Sequence, residues 1–232
     1  MNCARAALTS LLGTLALGTM AQDRLRPSIN QEFWASASVI GRPMFLQALL
    51  PKSIVRRLRI STELGYRSAD SFFAGRQVYG DVGIGYKLND HITLGGEFRY
   101  AYRGDDADRQ RACAMFEYKT ELARLELGYR FDYQHNFREF GGQREIFRNK
   151  FIAGYNIPKF KFDPKFSVEF FQWAGYQGLI YFGTRYKLGT EWSPWKGHSF
   201  GASVMHDRER AIFAPSYRFM LAVDYTINLR KI

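Results

Sequence analysis

The chain has 232 residues and a mass of 26.9 kDa, which is enough for one large β unit or for one to two ordinary domains. Hydrophobic residues make up 46% and charged residues 24% of the chain, a balance that argues against disorder, while aromatic residues reach 16%. The formal net charge of +11 is compatible with a nucleic-acid binder, a protein that faces anionic lipid, or a basic soluble domain. The positions of the charges decide between these classes.

The first 21 residues have the pattern of a cleaved secretory signal peptide. The positive charge of Arg5 precedes an apolar stretch over 6–17, and small residues stand at the two positions that a signal peptidase reads before Gln22. This stretch is too short for a transmembrane helix, which needs about 20 residues. Cleavage would leave Cys113 as the single cysteine, so no disulfide framework or thiolate metal site is expected.

From residue 58 onward, apolar and polar residues alternate with the period of two that is typical of β-strands. In the first run, Leu58 and Ile60 fall on one face, while Arg59 and Glu63 fall on the other. Ten such runs are predicted, at 58–67, 78–88, 92–103, 112–118, 123–133, 147–155, 166–170, 180–192, 198–204 and 217–229. Several of them exceed the usual mean strand length of about 5 to 6 residues.

The predicted connections alternate in length. Tight or modest turns are expected at 89–90, 119–121, 157–163 and 193–197, and longer polar joins at 69–76, 104–110, 134–143, 174–178 and 206–215. This pattern predicts an all-β fold, an antiparallel up-and-down transmembrane β-barrel of ten strands. Short turns would lie at the periplasmic rim, longer loops would be extracellular, and both ends of the chain would be periplasmic.

Alternation alone does not say whether the apolar face meets a soluble interior or a lipid bilayer. Most runs can tilt across an apolar band about 25 Å tall, which takes roughly 9 to 11 residues. Aromatic residues concentrate toward the ends of the runs, as in interfacial girdles. The opposite face carries charges of both signs interleaved with glycine, as a narrow polar lumen does. These features favour a membrane barrel, with a secreted soluble barrel as the alternative.

Residues 22–57 do not follow this rhythm. The stretch 30–40 could add a strand, which would make eleven and break the even count of a single-chain bacterial barrel. Either 44–56 supplies a twelfth strand, or the segment packs at the periplasmic side or inside the lumen as a plug. Because Pro43 and Pro51 interrupt the region, ten strands plus an irregular N-terminal segment are preferred. The predicted organisation has three parts: a signal peptide at 1–21, an N-terminal segment at 22–57 and a barrel at 58–232.

Three segments carry a pattern beyond simple alternation: Phe147-Arg-Asn-Lys-Phe-Ile-Ala-Gly-Tyr-Asn-Ile-Pro-Lys, Phe166-Ser-Val-Glu-Phe-Phe and Arg185-Tyr-Lys-Leu-Gly-Thr-Glu-Trp. With Tyr79-Gly-Asp-Val-Gly-Ile-Gly-Tyr-Lys-Leu and Trp34, they resemble the outer-membrane β-barrel family catalogued as domain of unknown function 2490, over most of residues 30–229. The resemblance implies a Gram-negative outer-membrane protein with no established activity, and it supplies no catalytic residues. One departure is the end Leu229-Arg-Lys-Ile, because many outer-membrane barrels end on an aromatic residue in phase with the last strand.

Charged residues on the polar face of the runs form the largest set of candidate site residues. They are expected to line the lumen: Arg59, Glu63, Asp81, Glu97, Arg99, Glu117, Arg124, Glu126, Arg130, Asp132, Arg148, Lys150, Glu169, Arg185, Lys187, Glu191, Arg218 and Asp224. One interpretation is a structural ion-pair network, because about eight strands already leave room only for side chains. The other is an anion-preferring pore or binding cavity, favoured by the Arg and Lys excess. No nucleic-acid partner is expected, because the positive charges form no stripe.

Enzymatic and metal chemistry have little support in the sequence. His135 or His206 could act as a base for Ser216 in an outer-membrane lipid hydrolase, but no spacing marks a catalytic triad. The loop residues Asp105, Asp106 and Asp108 lack the pattern of a dedicated calcium site. No catalytic residue, metal or cofactor is therefore expected.

The sequence thus predicts an outer-membrane barrel that is structural or forms a narrow passive pore for small solutes, with anions favoured. A lipid-modifying hydrolase and an accessory subunit of another outer-membrane complex are the alternatives. The expected partners are outer-membrane lipid and, in the last case, other outer-membrane proteins.

Overall fold

A computed structural model describes residues 28–69, 72, 74–104, 107–137, 144–176, 178–210 and 216–230. They form one closed barrel of eleven strands. The strands are β1 (Ser28–Gly41), β2 (Leu58–Ser68), β3 (Gly75–Lys87), β4 (Ile92–Tyr102), β5 (Arg109–Leu122), β6 (Leu125–Asn136), β7 (Glu145–Tyr155), β8 (Asp163–Gly175), β9 (Gly178–Trp192), β10 (His198–Glu209) and β11 (Ser216–Asn228). The all-β closed barrel is confirmed, whereas the prediction of ten or twelve strands is wrong. The predicted signal peptide lies outside the described residues.

The barrel closes through a parallel pair. Strand β1 pairs parallel to β11, from Ser28 opposite Ser216 to Ile40 opposite Asn228, and antiparallel to β2. All other neighbouring strands are antiparallel. An odd number of alternating strands leaves the first and last strands pointing the same way, so closure has to be parallel. We call the rim where β1 begins the upper rim and the opposite one, where β11 ends, the lower rim. The expectation that both ends share one rim is therefore wrong for the described chain.

The stretch rejected as an extra strand is part of the wall. Strand β1 ends at Gly41, before Pro43 and Pro51, so neither proline interrupts it. Each proline instead precedes a helical turn, a 3-10 helix (Met44–Ala48) and helix α1 (Lys52–Arg57). The twelfth strand considered at 44–56 is thus helical. Proline is tolerated in front of a helix because its missing N–H would have no partner there.

The helical segment joins β1 to β2 at the lower rim. Val55 of α1 is fully buried, and Arg57 donates a hydrogen bond to the carbonyl of Leu88 at 3.0 Å. Along the described stretches of the chain, no helix has the length and apolar character needed to cross a membrane.

The joins divide between the two rims. At the upper rim they span 69–74, 103–108, 137–144, 176–177 and 210–215, and at the lower rim 42–57, 88–91, 123–124, 156–162 and 193–197. Two predicted joins are wrong. Residues 119–121 belong to β5, and the turn lies at Ala123, whose φ of 55° suits a tight reversal. The long join predicted at 174–178 is short, since β8 extends to Gly175.

In the lower-rim turn between β3 and β4, Asp90 accepts a hydrogen bond from Lys87 at 2.7 Å. This hydrogen bond lowers the pKa of the Asp90 carboxyl.

The polarity of the barrel is inverted relative to a soluble protein. Large apolar side chains on the outer wall are exposed, with Leu64 at 64%, Val82 at 58% and Val204 at 57%. By contrast, the inward-facing Glu32 and Asp132 are each 1% exposed. A soluble protein seldom exposes so much apolar surface while burying carboxylates. This arrangement is typical of a barrel whose outer wall faces lipid.

Candidate functional site

The upper half of the lumen holds a ring of ion pairs that we call the charged belt. Ten of the eleven strands contribute to it: Glu32, Arg76, Asp81, Glu97, Arg99, Arg111, Arg130, Asp132, Arg148, Glu169, Arg185, Asp207 and Arg218. Because successive side chains of a strand point to opposite faces, each strand can place a charge in this layer without disturbing its apolar outer face.

The strongest pairs in the charged belt are bidentate or shared. Arg185 contacts Asp207 through Nε at 2.6 Å and Nη2 at 2.7 Å. Arg99 contacts both oxygens of Asp81, the Nε to Oδ1 distance being 2.6 Å. Planar guanidinium groups match carboxylates in this side-by-side geometry, which fixes orientation as well as charge. The pairs therefore hold the lumen side chains in defined positions.

Glu169 of β8 links two arginines from neighbouring strands. Its Oε1 lies 2.8 Å from Arg148 Nε, and its Oε2 lies 3.7 Å from Arg185 Nη1. The carboxylate is 2% exposed. Like the buried Glu32 and Asp132, it is therefore enclosed by neighbouring side chains of the charged belt.

Strand β2 takes part in this layer through a stack instead of an ion pair. The Arg67 guanidinium lies 3.9 Å from the ring centroid of Trp34 and 5.0 Å from that of Tyr79. Arg185, which comes from another part of the wall, lies 5.1 Å from the Trp34 ring. Trp34 also donates a hydrogen bond from Nε1 to Glu32 Oε2 at 2.8 Å. The indole of β1 is thus held inside the lumen between two cations.

A cavity of about 380 Å³, the central cavity, extends from the charged belt toward the lower rim, and Arg99, Arg148, Glu169 and Arg185 of the belt form part of its lining. Four of the predicted lumen residues line it outside the belt: Glu63, Lys150, Lys187 and Asp224. A smaller cavity of about 200 Å³ includes Arg59 and Glu117. Glu126 and Glu191 line a third space of about 280 Å³ at the lower rim. The predicted residues are therefore distributed over several levels of one lumen.

The remaining predicted residues divide into two groups. Nine of them take part in the ion pairs of the charged belt: Asp81, Glu97, Arg99, Arg130, Asp132, Arg148, Glu169, Arg185 and Arg218. Arg124 lies in the turn between β5 and β6 and is exposed, where it lines the same lower-rim space as Glu126 and Glu191. The run that contained it begins two residues later than predicted, at Leu125.

Sequence reasoning missed several belt residues. Arg111 was left out because the predicted run began one residue after it, and Asp207 because the predicted run ended three residues before it, although both continue the alternation of β5 and β10. Glu32 and Trp34 were missed with β1 itself. Extending each run until the alternation failed would have found Arg111 and Asp207.

The histidine and serine residues considered for catalysis are not brought together in pairs. His135 Nδ1 lies 2.7 Å from Glu145 Oε1 on the outer wall. His206 packs against the ring of Phe219 at 4.6 Å, and Ser216 is opposite Glu209 in the sheet. Asp105 and Asp106 lie outside the described residues, and no group of three potential metal ligands occurs among the residues that are described.

Aromatic side chains form a continuous cluster on the outer wall near the lower rim. Ring centroids are 6.0 Å apart for Phe162 and Trp192, 6.0 Å for Trp192 and Phe200, and 4.7 Å for Phe200 and Tyr225. Trp195 joins Phe200 from the turn below. Such amphipathic rings concentrate where an apolar band meets water.

The fold and the lumen define a class, a closed β-barrel with an apolar outer wall and a charged interior. The chain belongs to the family described as "Protein of unknown function (DUF2490)", which matches residues 42–213. No curated protein matches. Among solved structures, a chain titled "Bacterial polysaccharide outer membrane secretin" is similar with a TM-score of 0.46 and 13% identity. The match covers 72% of this chain and spans 62% of that chain's length.

Proposed function

We propose that the protein is an outer-membrane β-barrel of a Gram-negative bacterium that forms a narrow, anion-preferring pore, with the charged belt as its constriction. The observation that carries the proposal is the inverted polarity of the wall. Leu64 and Val82 are exposed outside, while Glu32, Asp132 and Glu169 are buried inside. An apolar exterior of this kind is stable only in lipid.

The preference for anions is supported by the lining of the central cavity. Six cationic side chains face three carboxylates there: Arg67, Arg99, Arg148, Lys150, Arg185 and Lys187 against Glu63, Glu169 and Asp224. Rings of charged side chains select the ion of opposite sign in narrow pores. The excess of cations along the central cavity therefore favours anion passage.

Planar-bilayer recordings with the chain lacking residues 1–21 test the pore. In a KCl gradient, we expect a small conductance with a reversal potential displaced toward that of chloride. Lys187→Glu should move the reversal potential toward that of potassium, because it converts one cavity cation to an anion. Lys52→Glu, on the exposed face of α1, is the control and should leave selectivity unchanged.

The membrane location and the pore are two proposals that different results would overturn. Absence of conductance at every potential would remove the pore proposal but leave the membrane assignment. Recovery of the exported chain in a soluble form that needs no detergent would overturn the membrane assignment itself.

A further inference from the structure

The central cavity has more positive charge than its carboxylates neutralise. Of its six cations, three are already paired within the charged belt: Arg99 with Asp81, Arg148 with Glu169, and Arg185 with Asp207. Within the part of the chain that the structure describes, the other three, Arg67, Lys150 and Lys187, have no carboxylate oxygen within 4.0 Å.

The carboxylates of the cavity do not balance these three cations. Glu63 accepts a hydrogen bond from Tyr79 Oη at 2.7 Å, and Glu169 is shared by two belt arginines. Tyr79 is neutral and leaves the charge of Glu63 in place, so Glu63 and Asp224 supply two negative charges against three cations. Like charges held together in a partly enclosed space repel one another unless a counterion lies between them.

Arg67 is held in a way that leaves only its edge for a ligand. Trp34 and Tyr79 cover the guanidinium, with ring centroids 3.9 Å and 5.0 Å from Cζ. Its Nε is inaccessible to solvent and has no hydrogen-bond partner. A buried donor without a partner is unfavourable, so this N–H is a position where an acceptor would be stabilised.

The two lysines approach from the other side of the lumen. Lys150 on β7 is opposite Glu169 in the sheet, and Lys187 on β9 is opposite Ser167 of the intervening strand β8. Both ammonium groups line the same cavity as Arg67. Two ammonium groups and one guanidinium edge supply several N–H donors, which suits an oxyanion with more than one charge better than a spherical monovalent ion.

We propose that the central cavity is a binding site for a small phosphate-type oxyanion, held by Arg67, Lys150 and Lys187. The site deepens the proposed pore and rests on it, since the site would adjoin the constriction. At about 380 Å³ the cavity is at the small end of ligand pockets, so it accommodates a free phosphate or a small phosphorylated solute but not a lipid.

Calorimetric titration of the purified barrel in detergent with inorganic phosphate tests the site. Ionic strength is held constant with NaCl, so that chloride is the competing monovalent anion. We expect saturable binding, weakened at least tenfold in the Lys150→Gln/Lys187→Gln double variant. The control is Lys119→Gln, because Lys119 is a strand lysine on β5 that is paired with Glu117 at 3.1 Å and does not line the central cavity; this variant should bind phosphate as the wild type does. Repeating the titration with glucose 6-phosphate distinguishes the two sources of the group, since only a cavity that admits a phosphorylated solute will bind both.

Three results would overturn the site. They are no saturable heat with phosphate for the wild type, equal binding by wild type and double variant, and failure of the double variant to fold. The last result counts because the site predicts that neutralising two repelling charges leaves folding intact. Binding is measured without conduction, so phosphate binding by a barrel that carries no current would sustain the site while the pore proposal fails. A conducting barrel that does not bind phosphate would sustain the pore proposal while the phosphate site fails.

Discussion

The ring of Tyr79 lies across Gly65, its partner on the neighbouring strand, so closely that a Cβ on residue 65 would come 2.1 Å from Tyr79 Cζ. The ring is held there by its hydroxyl, which donates to Glu63 Oε1 at 2.7 Å, and by the Arg99 guanidinium, 4.0 Å from the ring centroid. An aromatic side chain that covers a cross-strand glycine is a known means of stabilising a curved sheet. The absence of a side chain on Gly65 is thus what gives Tyr79 its place in the lumen.

Gly65→Ala should therefore displace the Tyr79 ring. We expect a loss of about 1–3 kcal/mol in the free energy of unfolding, as for other overpacked sites, measured by urea titration in lipid vesicles. Gly80→Ala is the matched control. Gly80 follows Tyr79 on β3 and faces the outer wall, and a Cβ there meets no atom within 4 Å. In the Gly65→Ala/Tyr79→Ala double variant the losses should be less than additive. Equal effects of the two glycine substitutions would contradict the packing described.

Closure by a parallel pair can be tested with a disulfide. Ser38 and Thr226 are opposite each other in β1 and β11, and their hydroxyl oxygens are 2.8 Å apart. Ser38→Cys/Thr226→Cys, with Cys113→Ser to remove the buried native thiol, should form a disulfide under mild oxidation. Mass spectrometry detects the bond as the loss of two hydrogens.

The control for this disulfide is Ser38→Cys/Ser203→Cys, because Ser203 lies one strand further away, on β10. That pair should stay reduced, since its Cα atoms are too far apart for a bond. If the barrel closed through β2 and β11 with β1 outside the wall, neither pair would cross-link.

Removing the shared carboxylate of Glu169 should weaken the charged belt. Glu169→Gln leaves Arg148 and Arg185 facing one another without the anion between them, and we expect a loss of about 3 kcal/mol in unfolding free energy. The anion preference in bilayer recordings should rise, because a negative charge leaves the central cavity. Glu121→Gln at the exposed lower end of β5 is the control, with an expected change below about 0.5 kcal/mol. Equal losses for the two variants would mean that the belt pairs contribute no stability.

The lipid-facing assignment predicts a dependence on depth. Val82 lies near the middle of β3 and is 58% exposed, so Val82→Arg would place a charge in the bilayer core at about 2–4 kcal/mol. Leu122, at the lower end of β5, is 68% exposed, and Leu122→Arg should reduce stability by only about 0–1 kcal/mol. Urea titration of folding into lipid vesicles measures both. If the two arginines were tolerated equally well, the outer wall would not face hydrocarbon.

The sequence by itself determined the strand phases and the polarity of the two faces. Side chains along a strand alternate with a period of two, a local property, so Arg99 and Glu97 could be assigned to the inner wall without knowing their neighbours. The family could be named for the same reason, because its pattern is carried by that alternation. The boundary of the run that contained Arg124 was wrong by two residues, because β6 begins at Leu125.

Only the tertiary structure decided how many strands close the barrel and which charges meet. β1 is rich in small polar residues such as Ser36 and Ser38, and its place between β11 and β2 depends on partners far away in the chain. The stack of Arg67 on Trp34 follows from that placement and from nothing local. Pairing and closure are relations between distant segments, whereas alternation is a relation between neighbours. The sequence therefore specified which residues face inward and outward, but not which side chains meet inside the lumen.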